Sequence, residues 1–148
     1  MILLKAFTDK NIELKGENMY DIYYAHHQWK YNTPEEAYEL TLIRKYFPRA
    51  TICNPATDLE SIATGDETII MQECLNKVKD SDIVIFSSLD GCIGTGVYHE
   101  IKYAQKNGKV IFYIFHDKLT ANFVIADRKK SERSDRLYAF VSVDDYGE

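Results

Sequence analysis

One carboxylate in this sequence, Glu100, stands where α/β proteins carry out chemistry. Ile83 to Phe86 is a short apolar run rich in β-branched residues, which predicts a strand buried on both faces. Turn-forming residues follow, among them Asp90, Gly91, Gly94, Thr95 and Gly96. Val97, Ile101 and Ala104 then recur at i, i+4 and i+7, one face of a helix. Glu100 is expected near the first turn of that helix, where the dipole would hold it ionised. Ligands of open α/β sheets bind outside the carboxyl ends of the strands, and free N–H groups in the Asp90–Gly96 loop would suit an anion. An ionised carboxylate at such a mouth can serve as base or nucleophile. The plainer reading is a first-turn glutamate that only stabilises its helix.

Other groups fall at the same edge. His26 and His27 follow the run Tyr20 to Ala25, and a histidine there can bind phosphate or protonate a base. The alternative is a pair of loop histidines, one packed and one solvated. Trp29 and Tyr31 offer aromatic faces for a nucleobase or for packing. Arg128, Lys129, Lys130, Arg133 and Arg136 form a basic loop, read either as a phosphate or acidic-partner contact or as solvated surface. The histidines show no metal-site spacing, so no metal is expected, and no cofactor.

These residues need elements to position them. Tyr20 to Ala25 predicts the first central strand. Thr33, Pro34 and Glu36 announce a helix with an N-cap, a proline at N1 and a capping box; Leu40, Ile43 and Phe47 supply its stripe. Ala50 to Asn54 is a second strand. Asp66 caps a helix with Ile70, Cys74, Leu75 and Val78 inward, and Lys109 to Phe115 is a fourth strand. Either Phe123 to Ala126 or Leu137 to Val143 would be the fifth. Alternating strands and helices predict an α/β fold: a flavodoxin-like three-layer sandwich with a mainly parallel five-stranded sheet. Residues 1–18 read as an extension or edge strand, and 19–148 as one domain.

The 148 residues carry a formal charge of −5, which argues against a nucleic-acid surface. No apolar run is long enough to span a membrane and no signal peptide is evident. Three unpatterned cysteines fit reduced thiols and a cytoplasmic setting.

From Ile22 to about Phe115 the chain resembles the nucleoside 2-deoxyribosyltransferase-like superfamily, which includes nucleotide N-glycoside hydrolases. The likeness rests on Ile22-Tyr23-Tyr24-Ala25, on Ser81-Asp82 followed by Ile83 to Phe86, and on Gly96 to Ala104 followed by Gly108-Lys109-Val110-Ile111. It implies cleavage of the N-glycosidic bond of a nucleoside or nucleoside 5′-monophosphate, by hydrolysis or base exchange, through a covalent glycosyl intermediate on Glu100. Tyr23 would position that glutamate or the sugar. Ala25, His26, Asp90, Gly94, Thr95 and Gly96 would line the substrate. Family transferases carry an aspartate where this chain has Gly94, and the phosphate-selective hydrolases a serine; Thr95 offers a hydroxyl one residue on. A second family aspartate maps onto Cys74, with Glu73 adjacent, so His26, Glu73 or Asp90 would act as the acid. The resemblance also implies a homo-oligomer. Two other readings fit the same residues: a non-catalytic nucleotide-sensing module and a glycohydrolase of an NAD-type dinucleotide.

Overall fold

The computed structural model describes residues 19–143. The expected extension at 1–18 lies outside the described residues. Five strands form the central sheet: β1 (Asp21–Ala25), β2 (Thr51–Cys53), β3 (Ile83–Phe86), β5 (Val110–Phe115) and β6 (Lys118–Thr120). Their order is β2-β1-β3-β5-β6. The first three pairings in that order are parallel, and β6 closes the edge antiparallel to β5.

The period-2 alternation of the strands divides the core in two. Ile22, Tyr24, Ile83, Ile85, Phe112 and Ile114 face one way, onto Leu42, Ile43 and Phe47 in and after α1 (Pro34–Tyr46). Tyr23, Ala25, Val84, Phe86, Ile111 and Tyr113 face the other way. There they meet Cys74 and Val78 of α2 (Glu67–Asp80) and Val97, Ile101 and Ala104 of α3 (Thr95–Lys106). This is the flavodoxin-like three-layer arrangement with one helix on one face and two on the other.

The caps follow the sequence closely. Thr33 Oγ1 accepts from the Glu36 N–H at 3.2 Å, and Glu36 Oε1 reaches back to the Asn32 N–H at 3.0 Å. Asp66 caps α2 through the N–H groups of Thr68 and Ile69. Asp82 ties the starts of two strands together, its Oδ2 accepting from the Asp21 N–H at 2.8 Å. That bond sits at the amino end of the sheet, away from the expected ligand edge.

The tail departs from expectation. Neither Phe123 to Ala126 nor Leu137 to Val143 supplies the fifth central strand; Lys118–Thr120 does, as a hairpin return from β5. The tail segments are β7 (Phe123–Asp127) and β8 (Ala139–Val143), which pair antiparallel with each other. With β4 (Cys92–Ile93) on the far side of β8, they build a second, three-stranded sheet. Its inner residues Ile93, Ala139 and Val141 join the core on the α2–α3 side. A strand at the edge of a sheet needs only one partner and one apolar face, and the tight turn after Phe115, with His116 at φ 56°, supplies it at once. Among the described residues no helix is long and apolar enough to cross a membrane.

Candidate active site

Glu100 and Tyr23 meet although 77 residues separate them, the Tyr23 hydroxyl donating to Glu100 Oε2 at 2.6 Å. Tyr23 comes from the middle of β1, on the face that looks towards α2 and α3. Glu100 projects from the buried side of α3, beside Val97, Ile101 and Ala104, and is only 5% exposed. A third group arrives from α2: the Cys74 thiol hydrogen-bonds with both the tyrosine and the carboxylate. Cys53, paired in register with Tyr23 on the neighbouring strand, stands close enough to feel the Glu100 charge.

The position of Glu100 corrects one expectation. It is not in the first turn of its helix, which contains no acidic residue. The helix starts earlier than the glycines suggest, at Thr95 with Gly94 as N-cap, because Cys92 and Ile93 are drawn into pairing with β8. Glu100 therefore lies in the second turn and inside the core. The dipole does not hold it ionised. Burial raises its carboxyl to about 7, against opposing hydrogen bonds from Tyr23 and Cys74. Near neutral pH this is a carboxyl group poised between its two protonation states, with a tyrosine and a thiol as donors. Burial pushes the Cys74 thiol up to about 12 and raises Tyr23 well above its ordinary value, so both remain protonated donors.

The other expected residues separate into those near this pair and those away from it. Ala25 ends β1 on the same face as Tyr23, fully buried. Glu73 turns away. Its carboxylate accepts from the N–H groups of Glu60 and Ser61 and from the Ser61 hydroxyl, and these bonds keep it below the usual carboxylate range. It lines a surface depression of about 620 Å³ with Ile69, Gln72 and Asn76. The adjacent residue, Cys74, is the one turned inward. A helical step of one is about 100° of rotation, and that rotation separates the two. Asp90 is exposed in the turn closed by the Leu89–Cys92 bridge.

Gly94, Thr95 and Gly96 start α3, but their loop is not open. The main-chain carbonyl of Asp135 lies over Gly94 and accepts from the Thr95 N–H at 3.2 Å. The His27 ring packs on the same glycine. The basic loop thus closes over the helix start. Arg136 stacks its guanidinium 4.5 Å from the Trp29 ring centre, and Arg133 covers Tyr138 at 4.5 Å. Trp29 remains 58% exposed.

His26 is walled in, its side chain without solvent exposure. Its ring stacks on Tyr24 at 3.7 Å, Nε2 lies 2.7 Å from Glu36 Oε2, and Nδ1 lies 3.1 Å from the Tyr24 carbonyl oxygen. Burial lowers its pKa, while the Glu36 and Tyr24 bonds oppose. Beside it runs a buried network invisible in the sequence pattern. Lys30 Nζ donates to Glu39 Oε2 at 2.7 Å and to Ser87 Oγ at 3.1 Å, while the Tyr24 and Ser87 hydroxyls donate to Glu39 Oε1. This network fastens the 26–33 loop to α1 and β3. The hint of it in the sequence is Glu39 itself, three and four residues before Leu42 and Ile43 and so on the buried face of α1.

Comparisons with known proteins add little detail. No family model matches the chain, and no curated protein matches it. Among solved structures, a 2-desoxiribosyltransferase from Leishmania mexicana is similar at 17% identity, over 80% of this chain and 77% of that one, with a TM-score of 0.47. The site is therefore read from its own geometry. No group of three or more His, Cys, Asp and Glu side chains among the described residues is placed to hold a metal.

Proposed function

We propose that the protein cleaves the N-glycosidic bond of a nucleoside or a nucleoside 5′-monophosphate, with Glu100 as the nucleophile and Tyr23 as the residue that positions it. The observation that carries this reading is the buried Tyr23–Glu100 hydrogen bond at 2.6 Å. It fixes the orientation of the carboxylate from the opposite layer of the fold. In the ionised form, Glu100 attacks the anomeric carbon as the bond to the base breaks, and the electron pair leaves with the base. The transition state is oxocarbenium-like, and a carboxylate in an apolar setting stabilises its positive charge strongly. Water or a second base then resolves the glycosyl ester. The Thr95 N–H is already bonded to Asp135, so the helix start does not by itself favour the monophosphate over the nucleoside.

Incubation with a panel of nucleosides and their 5′-monophosphates, with and without an acceptor base, tests the reading. Free base is expected from at least one substrate, and none with Glu100→Gln. A second reading is supported by Cys74, a thiol where an acid would be expected. On that reading the protein is a non-catalytic nucleotide-sensing module, and nucleotide binding survives Glu100→Gln with no turnover in either protein.

A further inference from the structure

The basic segment 128–136 is built largely on its own bonds. Its neck is closed by the Arg128 N–H, which donates to the Tyr138 carbonyl at 3.1 Å. Inside it, Arg133 Nε donates to the Arg128 carbonyl at 2.9 Å and the Glu132 N–H to the Lys129 carbonyl at 2.8 Å. None of its side chains belongs to either core cluster. Such a loop can lift as a unit without unpacking the core. We propose that this segment is a lid over the start of α3, that the neutral His27 ring is the catch that holds it, and that a proton on His27 releases it.

The catch is assembled over Gly94. The Asp135 carbonyl oxygen and His27 Cδ2 both crowd the space that a Cβ on Gly94 would fill, so the lid's backbone and the imidazole meet at one point of the helix start. The Thr95 N–H donates to the same carbonyl at 3.2 Å. On its other side the ring caps the 3-10 turn Gln28–Lys30, Nδ1 accepting from the Trp29 N–H at 3.0 Å. A ring nitrogen that accepts carries no proton, so the proton of the neutral ring is on Nε2, the atom bonded to Cδ2. From there it is donated to the Asp135 carbonyl. Arg136 adds a clasp, its guanidinium 4.5 Å from the centre of the Trp29 ring. The Trp29 ring in turn stands perpendicular to His27, with centres 5.6 Å apart.

A second proton has to go on Nδ1, and the ring then turns a donor towards the Trp29 N–H. The cap is lost, and the rotation that relieves the clash takes Nε2 off the Asp135 carbonyl. Asp135 and Arg136 of the lid and His26, the residue after β1, are the titratable and charged groups that act on the ring; α3 meets it at Gly94, which brings no charge. Burial lowers the pKa of His27 from 6.5, Asp135 opposes through its carbonyl and its charge, and Arg136 and His26 add to the lowering. The closed lid therefore prefers the neutral ring. The closure that His27 contributes is full above about pH 6.5 and is lost as pH falls through the lowered value. Once open, the lid bares Gly94 to Gly96 at the edge of the sheet where ligands of open α/β folds bind.

Amide hydrogen exchange of Thr95, corrected for its intrinsic rate, tests this without any turnover. Between about pH 7.5 and about pH 5 its protection should fall at least about fivefold, while the Ile101 and Ala104 amides inside α3 keep theirs. Protection that does not change with pH, or that falls equally along the whole helix, overturns the proposal. His27→Asn isolates the catch. Asparagine keeps an oxygen to accept from the Trp29 N–H, loses the donor to Asp135 and does not titrate. In this variant Thr95 should be weakly protected at both pH values; protection equal to that of the wild type at about pH 7.5 overturns the role of His27. Trp29 is the sole tryptophan of the chain, so the wild type carries its own reporter of the Arg136 clasp. Its emission should change in one step with a midpoint below about pH 6.5. No step, or a step that persists in His27→Asn, assigns the change to no lid or to another group and overturns the proposal.

Discussion

Glu100→Gln separates function from stability more sharply than any other change. The substitution removes the charge and keeps an amide oxygen to accept from Tyr23. Burial raises the wild-type carboxyl from 4.5 to about 7 in the folded state. Between those values the folded chain binds a proton that the unfolded chain has lost. The stability contributed by protonated Glu100 is thus fully present below about pH 4.5 and is lost as pH rises to about 7. Above that, the wild type carries an ionised carboxylate in its core, at a cost of about 3 kcal/mol relative to a solvated one. Glutamine escapes this cost. For a chain of this size the variant should melt about 6–12 °C above the wild type at pH 8. At pH 4.5 the gap should nearly vanish. Thermal denaturation followed by circular dichroism at the two pH values measures it. If Glu100 is the nucleophile proposed above, release of base by the variant should meanwhile drop roughly a thousandfold or more. A gap that is equal at both pH values, or a variant less stable at pH 8, would show that Glu100 is a satisfied structural ion and refute the reasoning.

Tyr23→Phe removes a bond that lowers the Glu100 pKa, so that pKa should rise further. On the proposed mechanism kcat/KM should climb as Glu100 ionises around pH 7, and in Tyr23→Phe that limb should shift to higher pH; a limb that stays in place would rule out Tyr23 as the residue that tunes the proposed nucleophile. Gly94→Ala places a methyl group against the Asp135 carbonyl oxygen and within 2.8 Å of His27 Cδ2. The backbone there, at φ −85°, accepts alanine, so the penalty is steric, about 1–3 kcal/mol, and urea denaturation should detect it. Faster amide exchange at Thr95 should accompany it as the basic loop lifts away, and an unchanged midpoint would mean that the loop yields freely.

The elements of the fold were legible because their causes are local. Thr33 with Glu36 and Asp66 with the residues after it cap helices through bonds spanning a few residues. The i, i+4, i+7 stripe of Val97, Ile101 and Ala104 and the β-branched run of Ile83 to Phe86 declare their burial by period alone. Glu100 and Tyr23 could be singled out in the same way, one from a strand-loop-helix pattern and both from a family resemblance. Their meeting could not be derived from either residue's surroundings in sequence. It depends on the parallel pairing of β1 with β3 and on the packing of α3 over that sheet, which bring residues 77 apart within 2.6 Å.

Tertiary structure alone decided the rest. Whether Glu73 or Cys74 faces the site is a matter of the rotation of α2 about its axis, set by Val78 packing into the core. The ionisation of Glu100 follows from its depth, and depth changes when a helix starts a few residues earlier than its glycines suggest. The Asp135 carbonyl over Gly94 and the Lys30–Glu39–Ser87 network join residues far apart in the chain. Periodicity reads a charged residue as solvent-facing; only the completed packing reveals which charges are enclosed with partners. Sequence determined the helices and the parallel strands β1, β2, β3 and β5, because those preferences act over a few bonds, while the short strands β4 and β6 and the second sheet were set by pairing. The three-dimensional arrangement decided which polar groups lost their water, because desolvation depends on every element that closes around them.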